Sequence, residues 1–435
     1  MNRYEIYKET DFEWIGEIPF DWELSRVGKF FNQRLEKADD ITYPPLSVTM
    51  SGIVDQLSNV AKTNDGDNRK LVKKDDFVIN SRSDRKGSSG ISPRDGSVSL
   101  INIVLEPHGL DPQFIQHLFK SYFFKEEYFR NGKGIHWDLW TTRWDQFKNI
   151  NIPIPSTSEQ KLISRYLDKK TVQIDRLIDK IQKKIELLKE QRTSLINQCV
   201  SKGLDPNVEM KDSGVEWIGN IPSHWKLGRF KYYISVLTDF TANGSFKSLA
   251  DNVEYLSEGY SRLVRLTDLR RDLQNDGVFV SIESHNFLKK SELFGNEILI
   301  ANVGAYTGFA LKMKSKQGVC TLGPNMFLVR NNNEMSNVDY IVYLINSYAI
   351  KTALDLVISS TAQPKINKDN LKSLVVPIPP KKEQEEIAVA LNETLKTIDN
   401  VIDKKNKRVL LLQEYKQSLI SSAVTGKVRI TENMI

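Results

Sequence analysis

The chain has 435 residues, 40% of them hydrophobic, and a formal net charge of +6. This size predicts more than one domain with a well-buried core, and the mild basic excess permits nucleic-acid binding without predicting it. Two cysteines exclude a disulfide framework, and five histidines without ligand spacing argue against a metal site. We expect a cytoplasmic protein, because no apolar run approaches membrane-spanning length and no secretory signal is evident.

The first element in chain order is a segment centred on Trp-Ile-Gly, and it occurs twice. Residues 8–26 (KETDFEWIGEIPFDWELSR) match residues 211–229 (KDSGVEWIGNIPSHWKLGR) at 10 of 19 positions. Glycine and proline in both copies exclude a long helix. We call the copies the WIG segments; they share the pairs Trp14 and Trp217, Pro19 and Pro222, and Trp22 and Trp225.

The region that follows, residues 27–151, predicts a globular domain with candidate DNA contacts. Runs at 77–80 and 99–105 predict strands and residues 112–129 predict a helix, so we expect an α/β globule with a curled sheet. Guanidinium groups, hydroxyls and exposed amides suit phosphates and guanine edges, although a solvated polar loop is the alternative. The candidate residues are Arg82, Arg85, Lys86, Ser88, Arg94, His136 and Arg143. Trp137 and Trp140 fit core packing better than base stacking.

A long helix is predicted next, and it too occurs twice. Residues 153–200 match residues 377–424 at 20 of 48 positions without a gap. Neither glycine nor proline interrupts 156–202 or 381–425, so each run predicts one helix of roughly 60 Å. Apolar residues at alternating steps of three and four form a seam that requires a partner, which the other copy can supply. The seam consists of Leu167, Ile174, Ile181, Leu188 and Leu195, and of Leu391, Ile398, Leu412 and Leu419, interrupted at Lys405.

The outward positions of these helices are mostly charged. Residues 156–202 carry a net charge of +5, which is typical of the solvated face of a coiled coil. Several leucines lie off the seam, where exposure is costly, and they predict a docking surface for a partner. These are Leu162, Leu187 and Leu411, and Leu412 is grouped with them although it also counts as a seam residue.

The second region between a WIG segment and a long helix, residues 230–376, shares little sequence with the first. Runs at 297–300 and 325–329 predict strands and residues 337–356 predict a helix, which again favours an α/β globule. Its candidate DNA contacts are Arg262, Arg265, Arg270, Arg271, Tyr306, Ser360, Gln363 and Lys365. An ordinary charged turn explains the arginines equally well, and the glycine-flanked Tyr306 could simply turn a hairpin.

Signatures of catalysis are weak. Residues 42–46 (TYPPL) share only their prolines with the catalytic motif of amino-methyltransferases, and Asp84 with Lys86 lacks the partner of a nuclease metal site. No serine or cysteine nucleophile accompanies a recognisable base, and the glycines near Tyr306 do not form a nucleotide-binding motif. We expect that the chain is not an enzyme.

This organisation resembles the specificity subunit of bacterial type I restriction-modification systems. The resemblance rests on WIGEIP at 14–19, WIGNIP at 217–222, and Pro-Ile-Pro followed by Glu159 and Gln160 or by Glu383 and Gln384. The text VINSRSDRKGSSG at 78–90 also resembles one type of target recognition domain. Nearly the whole chain is covered, although no single motif would suffice.

The resemblance implies a DNA reader without catalytic residues. Each target recognition domain would read one half of a split site in the major groove, and the helices would form an antiparallel coiled coil that fixes the gap. Two methyltransferase subunits, which bind S-adenosylmethionine and methylate adenine, would dock on the helices and WIG segments. Nuclease subunits that use ATP and magnesium would join the complex. This chain would bind no cofactor or metal itself.

The predicted fold class is therefore α/β (α+β), with two globular target recognition domains, two long antiparallel helices and an internal pseudo-twofold, circular repeat. The predicted domains are residues 1–152, 153–204, 205–376 and 377–435. Because a WIG segment begins the chain and a helix ends it, the termini should meet. Two alternatives stay open, namely a self-contained restriction or modification enzyme and a structural coiled-coil adaptor for protein partners.

Overall fold

A computed structural model of the chain describes residues 2–58, 66–82, 85–134, 140–271, 273–314, 318–358 and 363–435. The chain forms two compact units, one of residues 1–183 with 405–435 and the other of residues 184–404. Within the described ranges, no helix is long and apolar enough to cross a membrane. The candidate residues Asp84, His136, Trp137 and Ser360 lie outside the described residues.

The first unit combines short strands with three short helices and parts of both long helices. The strands are β1 (Tyr7–Glu9), β2 (Glu17–Pro19), β3 (Glu23–Arg26), β4 (Phe31–Gln33), β5 (Lys37–Ala38), β6 (Leu46–Thr49), β7 (Gly52–Asp55), β8 (Arg69–Val72), β9 (Phe77–Asn80), β10 (Ser89–Ile91), β11 (Gly96–Val98), β12 (Asn102–Pro107) and β13 (Asn151–Ile154). The helices are α1 (Pro112–Lys120), α2 (Tyr122–Arg130), α3 (Trp144–Phe147) and the first part of α4 (Thr157–Lys202).

The main sheet of this unit is antiparallel, with strand order β10-β9-β12-β4. The strand predicted at 77–80 is confirmed as β9, whereas the run at 99–105 forms a strand only from Asn102. A second sheet has the order β11-β8-β5, and β6 and β7 form a hairpin. Strand β3 pairs with β13, so the end of the WIG segment is tied to the strand before the long helix.

The core of the first unit joins the WIG segment, the sheet and the long helices. Trp14 and Trp22 are buried in one cluster with Phe77 of β9 and with Leu167 of α4. Its centre is aromatic, since the rings of Phe119 and Phe124 stack with centroids 4.3 Å apart. The tryptophans of the WIG segment thus act as packing residues that hold the domain to the helix.

The second unit contains β14 (Met210–Asp212), β15 (Asn220–Pro222), β16 (Lys226–Arg229), β17 (Ile234–Asp239), β18 (Ser261–Val264), β19 (Val278–Val280), β20 (Glu292–Leu293), β21 (Ile298–Ala301), β22 (Ala310–Lys312), β23 (Cys320–Leu322), β24 (Met326–Asn331) and β25 (Val375–Ile378). Its helices are α5 (Phe246–Asn252), α6 (Leu266–Leu269), α7 (Ile282–Phe287), α8 (Val338–Ile345), α9 (Tyr348–Asp355), α10 (Lys368–Ser373), the rest of α4 and most of α11 (Lys381–Val424).

The second unit repeats the framework of the first despite their unlike sequences. Its main sheet, β22-β21-β24-β17, has the same antiparallel order, and β16 pairs with β25 as β3 pairs with β13. The other sheet differs, because β19-β18-β23-β20 contains the parallel pair β18 and β23. Many apolar residues can fill a buried strand, so the framework persists where residue identities do not.

Each predicted single helix, at 112–129 and 337–356, is in fact two helices. Ser121 ends α1 and its side chain accepts a hydrogen bond from the Phe124 amide at the start of α2. Ser347 ends α8 and accepts in the same way from the Ile350 amide of α9. The prediction of one helix was wrong because a buried serine favours an N-cap over helix continuation.

The two long helices are confirmed and run antiparallel in both units. In the first unit Arg165 of α4 pairs at 3.1 Å with Glu432, which follows the end of α11, and further along α4 Asp175 pairs with Lys416 of α11 at 2.6 Å. In the second unit Arg192 pairs with Asp399 at 3.0 Å. Most seam residues are buried, Leu195 and Leu412 are half-buried, and α11 continues unbroken through the half-buried Lys405.

The Glu-Gln dipeptide at the start of each long helix has a structural role. Glu159 accepts a hydrogen bond from Trp22 Nε1 at 3.0 Å, and Glu383 accepts one from Trp225 Nε1 at 2.9 Å. The neighbouring glutamines are buried and bind the backbone that precedes α1 and α8. Gln160 accepts from the Asp111 amide at 2.8 Å, and Gln384 accepts from the Asn337 amide at 3.0 Å.

The chain termini meet within the first unit, as predicted. The Arg429 amide donates to the carbonyl oxygen of Asn2 at 2.9 Å. The corresponding part of the second unit is continuous chain, which leads from the end of α4 to β14. Gly203 and Gly426 follow the two long helices with φ of +76° and +73°, the conformation that ends a helix.

Candidate nucleic-acid interface

A cleft of 620 Å³ opens at one edge of the main sheet of the first unit. It lies where β9 ends and β12 begins, since Asn80 and Asn102 are opposite each other in these strands. Four of the predicted residues line it, namely Arg82, Arg85, Lys86 and Ser88. The arginines are exposed, whereas Ser88 is buried and its carbonyl oxygen accepts from the Asn80 amide at 2.9 Å. The sequence pattern therefore identified one contiguous basic surface.

Lys86 of the cleft and the predicted Arg94 both have protein partners. Lys86 Nζ contacts Glu126 at 2.7 Å and lies 4.5 Å from the centroid of the Phe129 ring. Arg94 pairs with Asp55 of β7. These contacts leave part of each side chain in solvent, yet they reduce the net positive charge that the two residues bring to the surface.

The segment before α3 closes the same edge of the sheet. The Thr142 amide donates to the Ser81 carbonyl oxygen at 2.9 Å, which places this segment beside Arg82. Arg143 is exposed at the N-terminus of α3, and its amide donates to Gln146 at 2.9 Å. Trp140 stacks on Phe129 with centroids 5.4 Å apart, which agrees with a packing role.

Arg69, Asn80 and Asn102 are among the cleft residues that were not singled out from the sequence. Arg69 is buried beneath it and donates to Ser97 Oγ at 2.7 Å; burial lowers its pKa, against the attraction of Asp40. Asn80 and Asn102 end and begin their strands. Among the described residues, Asn102 Oδ1 has no hydrogen-bond partner. Polar residues at the ends of the apolar runs at 77–80 and 99–105 were the signal that could have identified the asparagines.

In the second unit, two of the predicted arginines are engaged inside the domain. Arg262 donates to the carbonyl oxygens of Leu273 at 2.8 Å and Asn275 at 3.0 Å. Arg265 forms a two-point pair with the buried Asp268 at 2.9 and 3.0 Å. Burial, which raises the pKa of Asp268, is outweighed by hydrogen bonds from Arg265 and Asn275, so its pKa is lowered. Both arginines thus hold the turn after β18.

The remaining predicted residues that the structure describes in this unit are exposed, and they lie near two loops joined by a hydrogen bond. The Arg270 guanidinium lies 4.3 Å from the centroid of the half-exposed Tyr306 ring, and Arg271 is exposed beside it. The loop of Tyr306 is tied to the segment of Gln363 and Lys365, because the Gly304 amide donates to the Pro364 carbonyl oxygen at 2.9 Å. The structure therefore joins Arg270 to Tyr306, and the Tyr306 loop to the Gln363 segment.

A second cleft, of 720 Å³, lies at the corresponding edge of this sheet. The Ile366 amide donates to the Asn302 carbonyl oxygen at 3.1 Å, which repeats the contact between Thr142 and Ser81 in the first unit. Lys365 contributes to its wall, whereas most of its other lining is aromatic, aliphatic or amide. The two units thus present clefts of unlike chemistry at equivalent edges.

Across the described ranges, no group of three or more His, Cys, Asp or Glu residues could hold a metal ion. Both cysteines are buried. The titratable side chains that line the first cleft are Arg and Lys, and those of the second are two lysines, Asp239 and Tyr255. Surfaces of this kind can bind phosphates and base edges.

Comparison with known proteins identifies similarity along both halves of the chain. The family model described as type I restriction modification DNA specificity domain matches residues 19–187 and 247–411. The MjaVIII type I restriction enzyme specificity subunit of Methanocaldococcus jannaschii is 24% identical, over 98% of each chain. The EcoKI specificity subunit of Escherichia coli K12 is also 24% identical, over 72% of this chain and 65% of that protein.

Solved structures share the fold. A chain from a structure on complex assembly and conformational transition of the type I R-M system has a TM-score of 0.69 at 14% identity, covering 94% of this chain and 99% of that one. The crystal structure of the HsdS subunit from Thermoanaerobacter tengcongensis has a TM-score of 0.51 at 17% identity, covering 97% and 100%.

Proposed function

The chain belongs to the type I restriction modification DNA specificity family, and from that premise we propose that it is the non-catalytic DNA-recognition subunit of a type I restriction-modification complex. Each domain reads one half of a bipartite duplex site in the major groove. The observation that carries this proposal is the pair of clefts, which occupy equivalent edges of the same sheet framework and differ in their side chains. A shared scaffold with two different clefts suits two different half-sites.

The long helices set the distance between the two half-sites and dock the catalytic partners. Leu187 and Leu411 occupy the same position of the helix repeat, and both are exposed, by 52% and 63%. Two equivalent apolar positions suit two copies of one partner, so each helix receives one methyltransferase subunit. Leu162 and Leu412 instead pack against the core of the first unit, which leaves them a smaller part in docking.

Chemistry belongs to the partners in this proposal. The methyltransferase subunits bind S-adenosylmethionine and methylate adenine, and restriction subunits that use ATP and magnesium join through the complex. The chain described here binds duplex DNA and supplies the sequence specificity. It takes no cofactor of its own.

The decisive experiment is co-expression of this chain with its neighbouring methyltransferase in a host that lacks adenine methylation. Single-molecule sequencing then maps N6-methyladenine across the genome. We expect methylation at a split motif with a fixed gap. Methylation by the chain alone, or at one continuous motif, would contradict the proposal.

A second experiment tests the docking positions. Leu187→Asp and Leu411→Asp are each expected to remove one methyltransferase copy from the complex, as measured by native mass spectrometry. Gln182→Asp is the matched control, because it places the same charge at an exposed position that is already polar. Loss of both copies with the control would indicate a general charge effect instead.

A further inference from the structure

A cavity of 530 Å³ lies in the first unit, where the two chain termini meet the start of α4. Ile6 and Phe20 line it and are 63% and 60% exposed. They are opposite each other, because the Phe20 amide donates to the Ile6 carbonyl oxygen at 3.0 Å. The half-buried Leu162 of α4 lines the same cavity, which we call the terminal cavity. Apolar side chains that stay exposed around a concave surface favour an apolar occupant.

The repeat gives the second unit polar residues at the matching positions. Glu209 and Ser223 stand where the first unit has its isoleucine and phenylalanine. The Ser223 amide donates to the Glu209 carbonyl oxygen at 2.7 Å, which repeats the bond across the first hairpin. Glu386 of α11 stands where the first unit has Leu162. The backbone is therefore alike in the two units, and the apolar surface belongs to the first.

The terminal cavity is also acidic. Its charged lining residues, among those that the structure describes, are Glu5, Asp21, Glu159, Glu432 and Arg429. Glu159 and Glu432 are engaged within the unit, by Trp22 and by Arg165, whereas Glu5 and Asp21 are exposed. The two glutamates of the second unit make its matching surface acidic as well. A segment with lysine or arginine therefore suits both places, and an added apolar side chain gains more in the terminal cavity.

The terminal cavity lies within reach of a proposed docking position. Leu411 of α11 is 13 residues from the end of that helix at Val424, which is roughly 20 Å. The cavity follows the helix end, since Arg429 and Ile430 line it. An interface of ordinary size covers roughly 800 Å² of each partner and is therefore roughly 30 Å across. One docked subunit can thus cover both Leu411 and the terminal cavity.

We propose that one of the two methyltransferase copies inserts a segment with an apolar side chain and a lysine or arginine into the terminal cavity. Two copies of one subunit bring identical segments, yet the matching surface of the second unit offers polar side chains instead. The two copies therefore bind this chain with unequal affinity, and the tighter one binds at the first unit. The inference rests on the proposed function, because it takes the methyltransferase as the partner.

The test exchanges side chains between the two units. The full-length chain is titrated with its neighbouring methyltransferase, and native mass spectrometry gives the two stepwise dissociation constants. Covering the exposed parts of an isoleucine and a phenylalanine predicts that these constants, corrected for statistics, differ by roughly tenfold in the parent chain. The double variant Ile6→Glu, Phe20→Ser gives the first unit the residues of the second. It should weaken the tighter constant until the two agree within about threefold.

Three further variants guard against loss of binding through misfolding. The reciprocal exchange, Glu209→Ile with Ser223→Phe, should tighten the weaker constant, which a damaged fold does not do. Leu35→Ser with Ile41→Glu is the matched control, because both residues are exposed in the first unit and lie outside the lining of the terminal cavity. It should keep the difference of the parent chain. Asp21→Lys should weaken the tighter constant alone, whereas a gain in affinity would indicate an acidic segment and overturn the inference.

The outcomes separate this inference from the proposed function. Two copies that bind the parent chain with equal constants, in a complex that methylates a split motif, overturn the inference and leave the proposed function standing. A difference that persists in Ile6→Glu, Phe20→Ser also overturns the inference. A chain that binds no methyltransferase overturns the proposed function and, with it, the inference.

Discussion

Replacing Gln384 by alanine tests how the long helix holds the second domain. This fully buried side chain accepts from the Asn337 amide at 3.0 Å and donates to the carbonyl oxygens of Met335 at 3.1 Å and Pro379 at 3.0 Å. At about 1 kcal/mol for each of the three bonds, Gln384→Ala should lower the free energy of local unfolding by about 3 kcal/mol. The equivalent Gln160 forms two bonds of this kind, to the Asp111 amide and the Pro155 carbonyl oxygen, which predicts a loss of about 2 kcal/mol.

Hydrogen exchange followed by mass spectrometry measures this loss where it occurs. Global unfolding is a poor readout, because a chain with two units need not unfold in one step. A local loss of about 3 kcal/mol corresponds to roughly 100-fold faster exchange in the peptide that contains Asn337. Glu386→Ala is the control, since this exposed side chain pairs loosely with Lys382, at 3.8 Å, and its loss should change exchange by less than about threefold.

The location of the effect decides whether the reasoning is correct. Because α8 begins next to Asn337 and packs against the second unit's core, Gln384→Ala should relax recognition of one half-site and leave the other unchanged. Equal changes in the first unit, or an exchange profile like that of Glu386→Ala, would refute the assigned role of the glutamine.

Three further outcomes are expected. Arg82→Ala and Arg85→Ala should each lower the affinity for duplex DNA. Each should also reduce the slope of log binding constant against log salt concentration by the equivalent of about one phosphate contact, as measured by titration at several salt concentrations. An unchanged slope would contradict this. Burial raises the pKa of the Cys320 thiol to about 11. Because the folded state favours the protonated thiol, the contribution of Cys320 to the free energy of unfolding is complete below the unfolded-state pKa near 8.5 and is lost as pH rises towards 11. Thiol alkylation of the folded chain should therefore stay slow at pH 8, and rapid labelling of Cys320 would oppose the assignment. Finally, a circular permutant can be made by joining the two termini with a short linker and opening the chain between Pro206 and Asn207. It should bind duplex within about threefold of the parent, because Pro206 and Asn207 are exposed and the Arg429 amide already contacts Asn2. A folded permutant without binding would argue against the circular repeat.

The clefts mark the limit of prediction from local pattern. The loop of Arg82 and Arg85 was identified because it concentrates charge in a short stretch, and the structure brings both residues to one cleft. Arg262 and Arg265 gave the same signal, yet their guanidinium groups are bound inside the domain. Phe246 and Asn302 gave no signal, because only the fold brings these distant residues together in the lining of the second cleft.

The duplicated elements could be determined from the sequence by itself. Uninterrupted heptad spacing requires a long helix and a partner seam, and repeated tryptophans with prolines mark a second copy of the same packing unit; both follow from short-range periodicity. Tertiary structure alone decided that Ser121 and Ser347 break the predicted helices and that the two dissimilar domains share one sheet order. It also decided which cations face the clefts. These properties depend on burial and hydrogen-bond partners brought from distant parts of the chain, which local sequence does not encode.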